Sequence, residues 1–187
     1  MRTPLLATAI ALFAVGCGST PSPKTAAQQV PTLSTARQAV ANLASASGSL
    51  VSGKVTLVPM AGGGIHLTGV IGGLAPNSTH GFHVHEKGDC SAADATSAGA
   101  HFNPFNAAHG RAAGPAHHAG DMDNVVANAE GIVNLDVHVS GVTLGGGAVN
   151  DIAGRALVVH AVADDYSSQP AGNAGARVAC GVITAMP

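Results

Sequence analysis

The chain has 187 residues, a formal net charge of -2 and only 10% charged residues, which suits one domain behind a leader better than two full domains. Its 25 Gly and 10 Pro, together with few Glu, Lys and Leu residues, exclude a coiled coil. Eight Lys and Arg against ten Asp and Glu, without a basic run, argue against any nucleic-acid partner. Ten histidines are more than folding requires and point to chemistry.

Residues 1–17 have the layout of a signal peptide. Arg2 supplies a positive charge, and the apolar residues 5–15 that follow are too few to span a bilayer. Small residues then precede Cys17, and this pattern resembles a bacterial lipobox, in which the cysteine is lipidated and becomes the new N-terminus. Ordinary signal cleavage near Gly16 is the alternative. Both interpretations predict an extracytoplasmic protein, and lipidation predicts a periplasmic domain anchored to a bacterial membrane through Cys17.

A polar segment separates this leader from the rest of the chain. Residues 18–35 are rich in Ser, Thr, Pro and Gln and contain few large apolar side chains. Such a segment buries too little surface to offset the entropy of ordering it, so we expect a flexible tether. The folded domain is then predicted to occupy residues 36–187.

From residue 36 onward the chain alternates short strand-like runs with glycine-rich turns. The runs occupy residues 50–58, 65–71, 131–139, 156–160 and 177–183. In the third run the apolar residues alternate, which leaves His138 on the solvent face. Between His85 and Asp121 the periodicity is lost, and a long irregular segment within a compact domain is commonly functional. The pattern predicts an all-β antiparallel sandwich or barrel.

Histidines concentrate in and around this irregular segment. His83 and His85 are two residues apart, so in a strand both rings point to the same side. Further candidate ligands follow in one loop, namely His101, His109, His118 and Asp121. Imidazoles with one carboxylate suit a tetrahedral Zn²⁺ ion. His160 ends an apolar strand, where an isolated histidine is usually a hydrogen-bonded core residue.

The chain contains three cysteines. If Cys17 carries lipid, Cys90 and Cys180 remain, and in an oxidising compartment these two can pair. Two buried free thiols are the alternative.

Four blocks of the sequence carry a recognisable pattern. They read Gly-Phe-His-Val-His-Glu at 81–86, Ala-Gly-Ala-His-Phe-Asn-Pro at 98–104, Gly-Arg-Ala-Leu-Val-Val-His at 154–160 and Gly-Asn-Ala-Gly-Ala-Arg-Val-Ala-Cys-Gly-Val-Ile at 172–183. In this order they resemble copper/zinc superoxide dismutases of the bacterial type. The resemblance covers residues 36–187 and implies a flattened, eight-stranded Greek-key barrel with long metal-binding and electrostatic loops.

The resemblance implies a role for each candidate residue. The residues that match copper ligands are His83, His85, His101 and His160, and those that match zinc ligands are His101, His109, His118 and Asp121. Asp164 matches a carboxylate that hydrogen-bonds one ligand of each metal. Arg177 matches the guanidinium that receives the anionic substrate beside copper. Cys90 and Cys180 match the family disulfide.

Three other histidines are not expected to bind metal. Only His118 has the family spacing to Asp121, so the neighbouring His117 is expected to be an exposed extra. His80 matches a histidine that supports the backbone, and His66 is expected to be structural or exposed.

The activity implied by the resemblance is dismutation of superoxide anion to O₂ and H₂O₂. Copper would be reduced and reoxidised by one electron in turn, a structural zinc would share the bridging His101, and His101 would store a proton. The lysine that guides substrate in eukaryotic members is absent after His160, so Arg177, with Lys87 or Arg111, is expected to supply positive charge. The alternative is a non-catalytic copper/zinc carrier on the same scaffold. The sequence does not decide between a monomer and a homodimer.

Overall fold

The computed structural model describes residues 30–186, so the predicted signal peptide and Cys17 lie outside the described residues. Within that range the chain forms ten strands and one short 3₁₀ turn at Thr96–Ala98. The strands are β1 (Gln38–Ser45), β2 (Ser52–Pro59), β3 (Ile65–Gly72), β4 (Thr79–His80), β5 (Phe82–His85), β6 (Val125–Val126), β7 (Val133–Val139), β8 (Ala156–His160), β9 (Arg177–Val182) and β10 (Thr184–Met186). Across residues 30–186 no helix has the length and apolar character needed to cross a membrane.

Eight of these strands form one antiparallel sheet. Its order is β5-β8-β9-β1-β2-β3-β7, and β10 pairs with the first part of β1. Between β3, which lies next to the edge strand β7, and β5, the chain therefore crosses to the opposite edge of the sheet, which is a Greek-key connection. β4 and β6 form a separate two-stranded ladder. The predicted all-β Greek-key barrel is confirmed.

The sheet curls around one hydrophobic core. In β3 the alternate residues Ile65, Leu67 and Ile71 are fully buried, as the period of two requires. Phe82 of β5 and Val133 of β7 belong to the same buried cluster although they lie on opposite edges of the sheet. Both edges thus face one interior, and the predicted strands of residues 50–58, 65–71, 131–139, 156–160 and 177–183 correspond to β2, β3, β7, β8 and β9.

A second, smaller apolar cluster lies outside the barrel. It contains Val158 of β8 and Cys180 of β9, packed against Ala95 and Ala98 of the loop that follows β5. Cys90 of that loop is disulfide-bonded to Cys180, which confirms the predicted bridge. The loop of residues 86–100 is therefore fixed to the sheet by packing and by a covalent bond.

The last residues of the predicted tether lie along a loop of the domain. The Leu144 amide donates to Ser34 Oγ at 2.9 Å, and the Thr35 amide donates to the Leu144 carbonyl at 3.1 Å. Asn150 Nδ2 donates to the Pro31 carbonyl at 2.7 Å. Residues 30–36 form no strand but are hydrogen-bonded to the 141–150 loop.

Candidate metal centre

β5, β8 and the loop after β5 bring the predicted ligands together. β5 carries His83 and His85, and it pairs with β8, which ends at His160. The His160 amide donates to the Gly81 carbonyl at 2.8 Å, which holds the end of β8 beside the start of β5. His101 returns to form an isolated antiparallel bridge with His85. Strand pairing alone thus gathers histidines that are far apart in sequence.

Four buried histidines form one candidate ligand group, here called the four-histidine group. Its members are His83, His85, His101 and His160, and one ring nitrogen from each lies within 4.8 Å of the others. The Nε2 atoms of His85 and His160 are only 3.3 Å apart. The outer ring nitrogens of these two residues face backbone carbonyls, at 2.9 Å from Gly99 for His85 Nδ1 and 3.3 Å from Gly175 for His160 Nδ1.

This arrangement fixes the tautomers of His85 and His160. A carbonyl oxygen can only accept, so each Nδ1 must carry the proton that it donates. In the neutral rings the two Nε2 atoms are then both lone-pair acceptors, and they face each other at 3.3 Å. Two facing lone pairs repel unless a cation lies between them, so these residues fit a bound metal ion.

His83 and His101 complete the group with nitrogens that lack a hydrogen-bond partner. His83 Nε2 lies 2.8 Å from Asp164 Oδ2, and its Nδ1 is buried without a partner among the described residues. His101 Nδ1 lies 2.8 Å from Asp121 Oδ1, and its Nε2 is likewise buried and unsatisfied. A buried polar atom without a partner is unfavourable, and metal ligation satisfies both nitrogens.

A second group, here called the aspartate group, lies on the other side of His101. Its members are His101, His109, His118 and Asp121, with one ligand atom from each within 4.8 Å of the others. Asp121 is held by the backbone amides of His118, at 2.8 Å, and Gly110, at 3.1 Å. His109 Nδ1 lies 3.0 Å from Asp121 Oδ2 but is not directed at it as a hydrogen-bond donor. Three imidazoles and a carboxylate converging in this way suit a closed tetrahedral zinc site.

Asp164 connects the two groups. Its Oδ2 accepts from His83 Nε2 at 2.8 Å and its Oδ1 accepts from His109 Nε2 at 3.0 Å. Because both Nε2 atoms carry protons that Asp164 accepts, the Nδ1 atoms of His83 and His109 are left with lone pairs. The carboxylate thus orients one ring of each group.

The surroundings of Asp164 include residues that the sequence did not indicate. The side chain of Asn124 accepts from the Asp164 amide at 2.8 Å and donates to its carbonyl at 2.9 Å. The side chain of Gln169 makes the same pair of contacts, both at 2.9 Å, with the backbone of His109. Gly172 has a φ of 65°, and a Cβ there would collide with the Asp164 carboxylate. Only the glycine-rich stretch around Gly172 carried a sequence signal.

Burial keeps the imidazoles neutral. It lowers the pKa of His85 to about 2 and that of His160 to about 3. It also lowers the pKa values of His83 and His118, although the hydrogen bond to Asp164 opposes this at His83. Near neutral pH these four rings therefore carry lone pairs, as metal ligands must.

The two carboxylates stay ionised. Burial alone would raise the pKa of Asp121, but hydrogen bonds from His101 and from the His118 and Gly110 amides outweigh it and leave the pKa below its usual range. Burial would also raise the pKa of Asp164, and hydrogen bonds led by that from His83 again reverse the direction. The chain thus presents neutral imidazoles and anionic carboxylates, the protonation states that copper and zinc sites require.

A cavity of about 560 Å³ lies over the four-histidine group. His85, His101, His160 and Arg177 contribute to its wall. Arg177 pairs with His160 across β8 and β9, and its guanidinium donates to the carbonyls of Ala95 and Gly99 at 2.6 Å each. A guanidinium has five N–H groups, so two backbone contacts leave donors for an anion.

The other predicted cations do not line this cavity. Arg111 pairs with Asp123 at 3.1 Å and lies on the loop beside the aspartate group. Lys87 borders a different surface depression, beside Phe102. Arg177 is the only Lys or Arg among the described residues that form the wall of the cavity.

The remaining histidines fall outside both groups. His80 Nδ1 donates to the His160 carbonyl at 2.8 Å, in agreement with its predicted supporting role. His117 is half-buried, not exposed as predicted, because its Nδ1 donates to the His118 carbonyl at 2.8 Å.

Comparisons with known proteins agree on one family. A model of copper/zinc superoxide dismutases matches residues 51–183. Two superoxide dismutases [Cu-Zn] of Aquifex aeolicus (strain VF5), numbered 2 and 1, are 46% identical over 114 residues and 47% identical over 113 residues, and each alignment covers 59% of this chain and 67% of the relative. An extracellular superoxide dismutase [Cu-Zn] of Brugia pahangi is 44% identical over 126 residues, which cover 63% of this chain and 61% of that protein. The crystal structure of the clock protein EA4 is similar, with a TM-score of 0.72 and 40% identity, over 82% of this chain and 98% of that one.

Proposed function

The chain belongs to the copper/zinc superoxide dismutase family, and we propose that it converts superoxide to O₂ and H₂O₂ at the two adjoining ligand groups. It is an oxidoreductase whose cofactors are copper and zinc. One observation carries the proposal. The Nε2 atoms of His85 and His160 lie 3.3 Å apart, beneath an open cavity, with their lone pairs facing each other.

The two groups differ in the metal that they suit. All-imidazole ligation suits copper, so the four-histidine group would hold copper, and the carboxylate-containing aspartate group would hold zinc. His101 is the only residue common to both groups, and we assign it as the bridge. Bound copper supplies the one-electron exchange that oxidises one superoxide and reduces the next.

The protein supplies binding and protons around that exchange. The fixed guanidinium of Arg177 draws the anion into the cavity and orients it by hydrogen bonds. His101 would take up and return a proton at Nε2, while the zinc that its Nδ1 would bind together with Asp121 keeps the ring in place. Asp164 keeps His83 and His109 in the tautomers that expose Nδ1.

Superoxide decay measured on the full chain loaded with copper and zinc tests the proposal. We expect rapid decay with the wild type and with His117→Gln, a matched variant whose histidine lies outside both groups. His85→Gln should lose most of the activity, because it removes a ligand nitrogen from the four-histidine group. Saturable metal uptake by the wild type without any dismutation would favour the carrier function instead.

Asp121→Ala is expected to deplete zinc far more than copper. Asp121 is the only anionic ligand of the aspartate group and has no place in the four-histidine group. Elemental analysis of the purified variant measures both metals, and Asp123→Ala, which removes an exposed carboxylate two residues away, is the matched control. Equal loss of copper and zinc would contradict the assignment of the two metals.

We place the protein outside the cytoplasm, held by lipid at Cys17 at the end of the 1–17 leader. Residues 18–35 connect this anchor to the domain at 36–187, and the last of them lie against the 141–150 loop through the hydrogen bonds of Pro31, Ser34 and Thr35. The Cys90–Cys180 disulfide supports an oxidising compartment, and a similar dismutase from Brugia pahangi is named extracellular.

Cys17→Ser should release active protein in soluble form, because it removes the acceptor of the lipid. Phase partition in detergent measures the change. Continued partition of the variant into detergent would show that Cys17 is not the anchor.

A further inference from the structure

A third group of metal-ligating side chains lies on the outside of the barrel, on β3 and β7. It consists of His66, Asp136 and His138 and is here called the outer group. His66 and His138 are directly opposed in the antiparallel ladder, and Asp136 is opposed to Thr68 one step along the same face. Because side chains two residues apart share a face of a strand, all three project from the outer surface of the sheet.

The three side chains already converge. The ring centroids of His66 and His138 are 4.4 Å apart, and His66 Nε2 lies 2.7 Å from Asp136 Oδ1. One ligand atom from each residue lies within 4.8 Å of the others. His66 is half-buried, whereas Asp136 and His138 are exposed, so the group is open to solvent.

We propose that the outer group is a third metal site, separate from the copper and zinc groups, that binds a divalent transition-metal ion such as Zn²⁺. Two imidazoles and one carboxylate form a ligand set that zinc uses where it keeps an open position. Imidazole ligands favour zinc or copper over Mg²⁺ and Ca²⁺, which prefer oxygen ligands. Water completes the coordination, because the site is at the surface.

The neighbouring surface gives access to the outer group. A cavity of about 430 Å³ is lined by Asp136 and His138 on one side and by Asp121, Asp123 and His117 on the other. The Asp121 side chain is buried in the aspartate group and Asp123 is paired with Arg111, so Asp136 is the carboxylate that the outer group itself presents at this cavity. The cavity gives a hydrated cation a path to the outer group.

The test uses the full chain with its copper and zinc groups already loaded. Equilibrium dialysis against ZnCl₂, followed by elemental analysis, measures zinc bound beyond that content. We expect one additional Zn²⁺ per chain, accompanied by shifts of the ring resonances of His66 and His138 in ¹H–¹⁵N spectra. Absence of additional zinc would overturn the proposal, whatever the dismutase activity of the sample.

Variants locate the additional ion. His138→Gln and Asp136→Asn should each weaken its binding by at least about tenfold, equivalent to ~1.4 kcal/mol. Asn134→Ala, an exposed change on the same face of β7, should bind zinc as the wild type does. All three changes are at exposed positions, and unchanged copper content and melting temperature verify the fold. Wild-type affinity for the additional zinc in His138→Gln would overturn the assignment.

Discussion

Arg177→Ile is expected to lower the rate of superoxide dismutation by at least about tenfold, equivalent to ~1.4 kcal/mol of barrier, while copper and zinc contents stay complete. Arg177 belongs to neither ligand group, yet it lines the cavity above the four-histidine group. The substitution therefore removes a cation from the path of an anionic substrate without removing a metal ligand. Stopped-flow decay of superoxide, with elemental analysis of the same sample, measures both quantities.

The salt dependence of the rate separates an electrostatic role of Arg177 from a structural one. Screening by salt slows an anion that is guided by positive charge, so the rate of the wild type should fall as ionic strength rises. The Ile variant should show a flatter dependence, because less positive field remains to be screened. Arg111→Ile is the matched control, since Arg111 is an exposed arginine already paired with Asp123 and outside the cavity.

Arg177→Lys separates charge from geometry. Lysine keeps the positive charge, but its single ammonium group cannot reproduce the two hydrogen bonds that the guanidinium makes to Ala95 and Gly99. We expect a rate between those of the wild type and the Ile variant, with the salt response retained. Full activity and an unchanged salt response in Arg177→Ile would make Arg177 a structural residue and contradict this account of substrate capture.

The sequence predicted the strands that are rich in β-branched residues or alternate apolar with polar residues. It missed β1, which has neither pattern. β1 reads Gln-Ala-Val-Ala-Asn-Leu-Ala-Ser, and alanine is depleted in strands, so its pattern gave no signal. The structure nevertheless places β1 between β2 and the β9–β10 segment, with Ala39 and Ala41 fully buried. This strand is specified by its neighbours in the sheet, which local sequence does not reveal.

Local sequence also predicted only part of the candidate site. Four residues within one loop indicated a zinc group before the fold was known, namely His101, His109, His118 and Asp121. His160 could be joined to His85 only by resemblance, because 75 residues separate them and the pairing of β5 with β8 brings them together. The anchors of Arg177 are backbone carbonyls, which leave no trace in side-chain patterns.

The disulfide contributes to both stability and the position of Arg177. Cys90 and Cys180 are separated by 90 residues, and a cross-link of that span stabilises a fold by about 4–5 kcal/mol in the chain-entropy description. Cys90 lies on the loop that also carries Ala95 and Gly99, whose carbonyls hold the guanidinium. Cys180 lies three residues after Arg177 on β9. The disulfide thus links the loop that carries Ala95 and Gly99 to β9, the strand that carries Arg177.

Replacing both cysteines with alanine is therefore expected to lower the free energy of unfolding by about 4–5 kcal/mol and to lower the dismutation rate as well. Alanine suits the position of Cys180, which is buried among apolar residues. Urea unfolding of the metal-loaded protein measures the first effect. The rate is measured where the variant is still folded, as verified by its copper and zinc contents. Unchanged stability would show that packing of residues 86–100 against β8 and β9 suffices without the bond.

A double-mutant cycle then tests how the disulfide affects catalysis. If the bond acts by holding the carbonyls of Ala95 and Gly99 against Arg177, its removal should change the rate of Arg177→Ile little, although it lowers that of the wild type. The loss of stability, in contrast, should be of similar size in both backgrounds, because it arises mainly from the unfolded chain. Equal, additive losses of rate in the two backgrounds would mean that the disulfide influences the copper ligands by a route independent of Arg177.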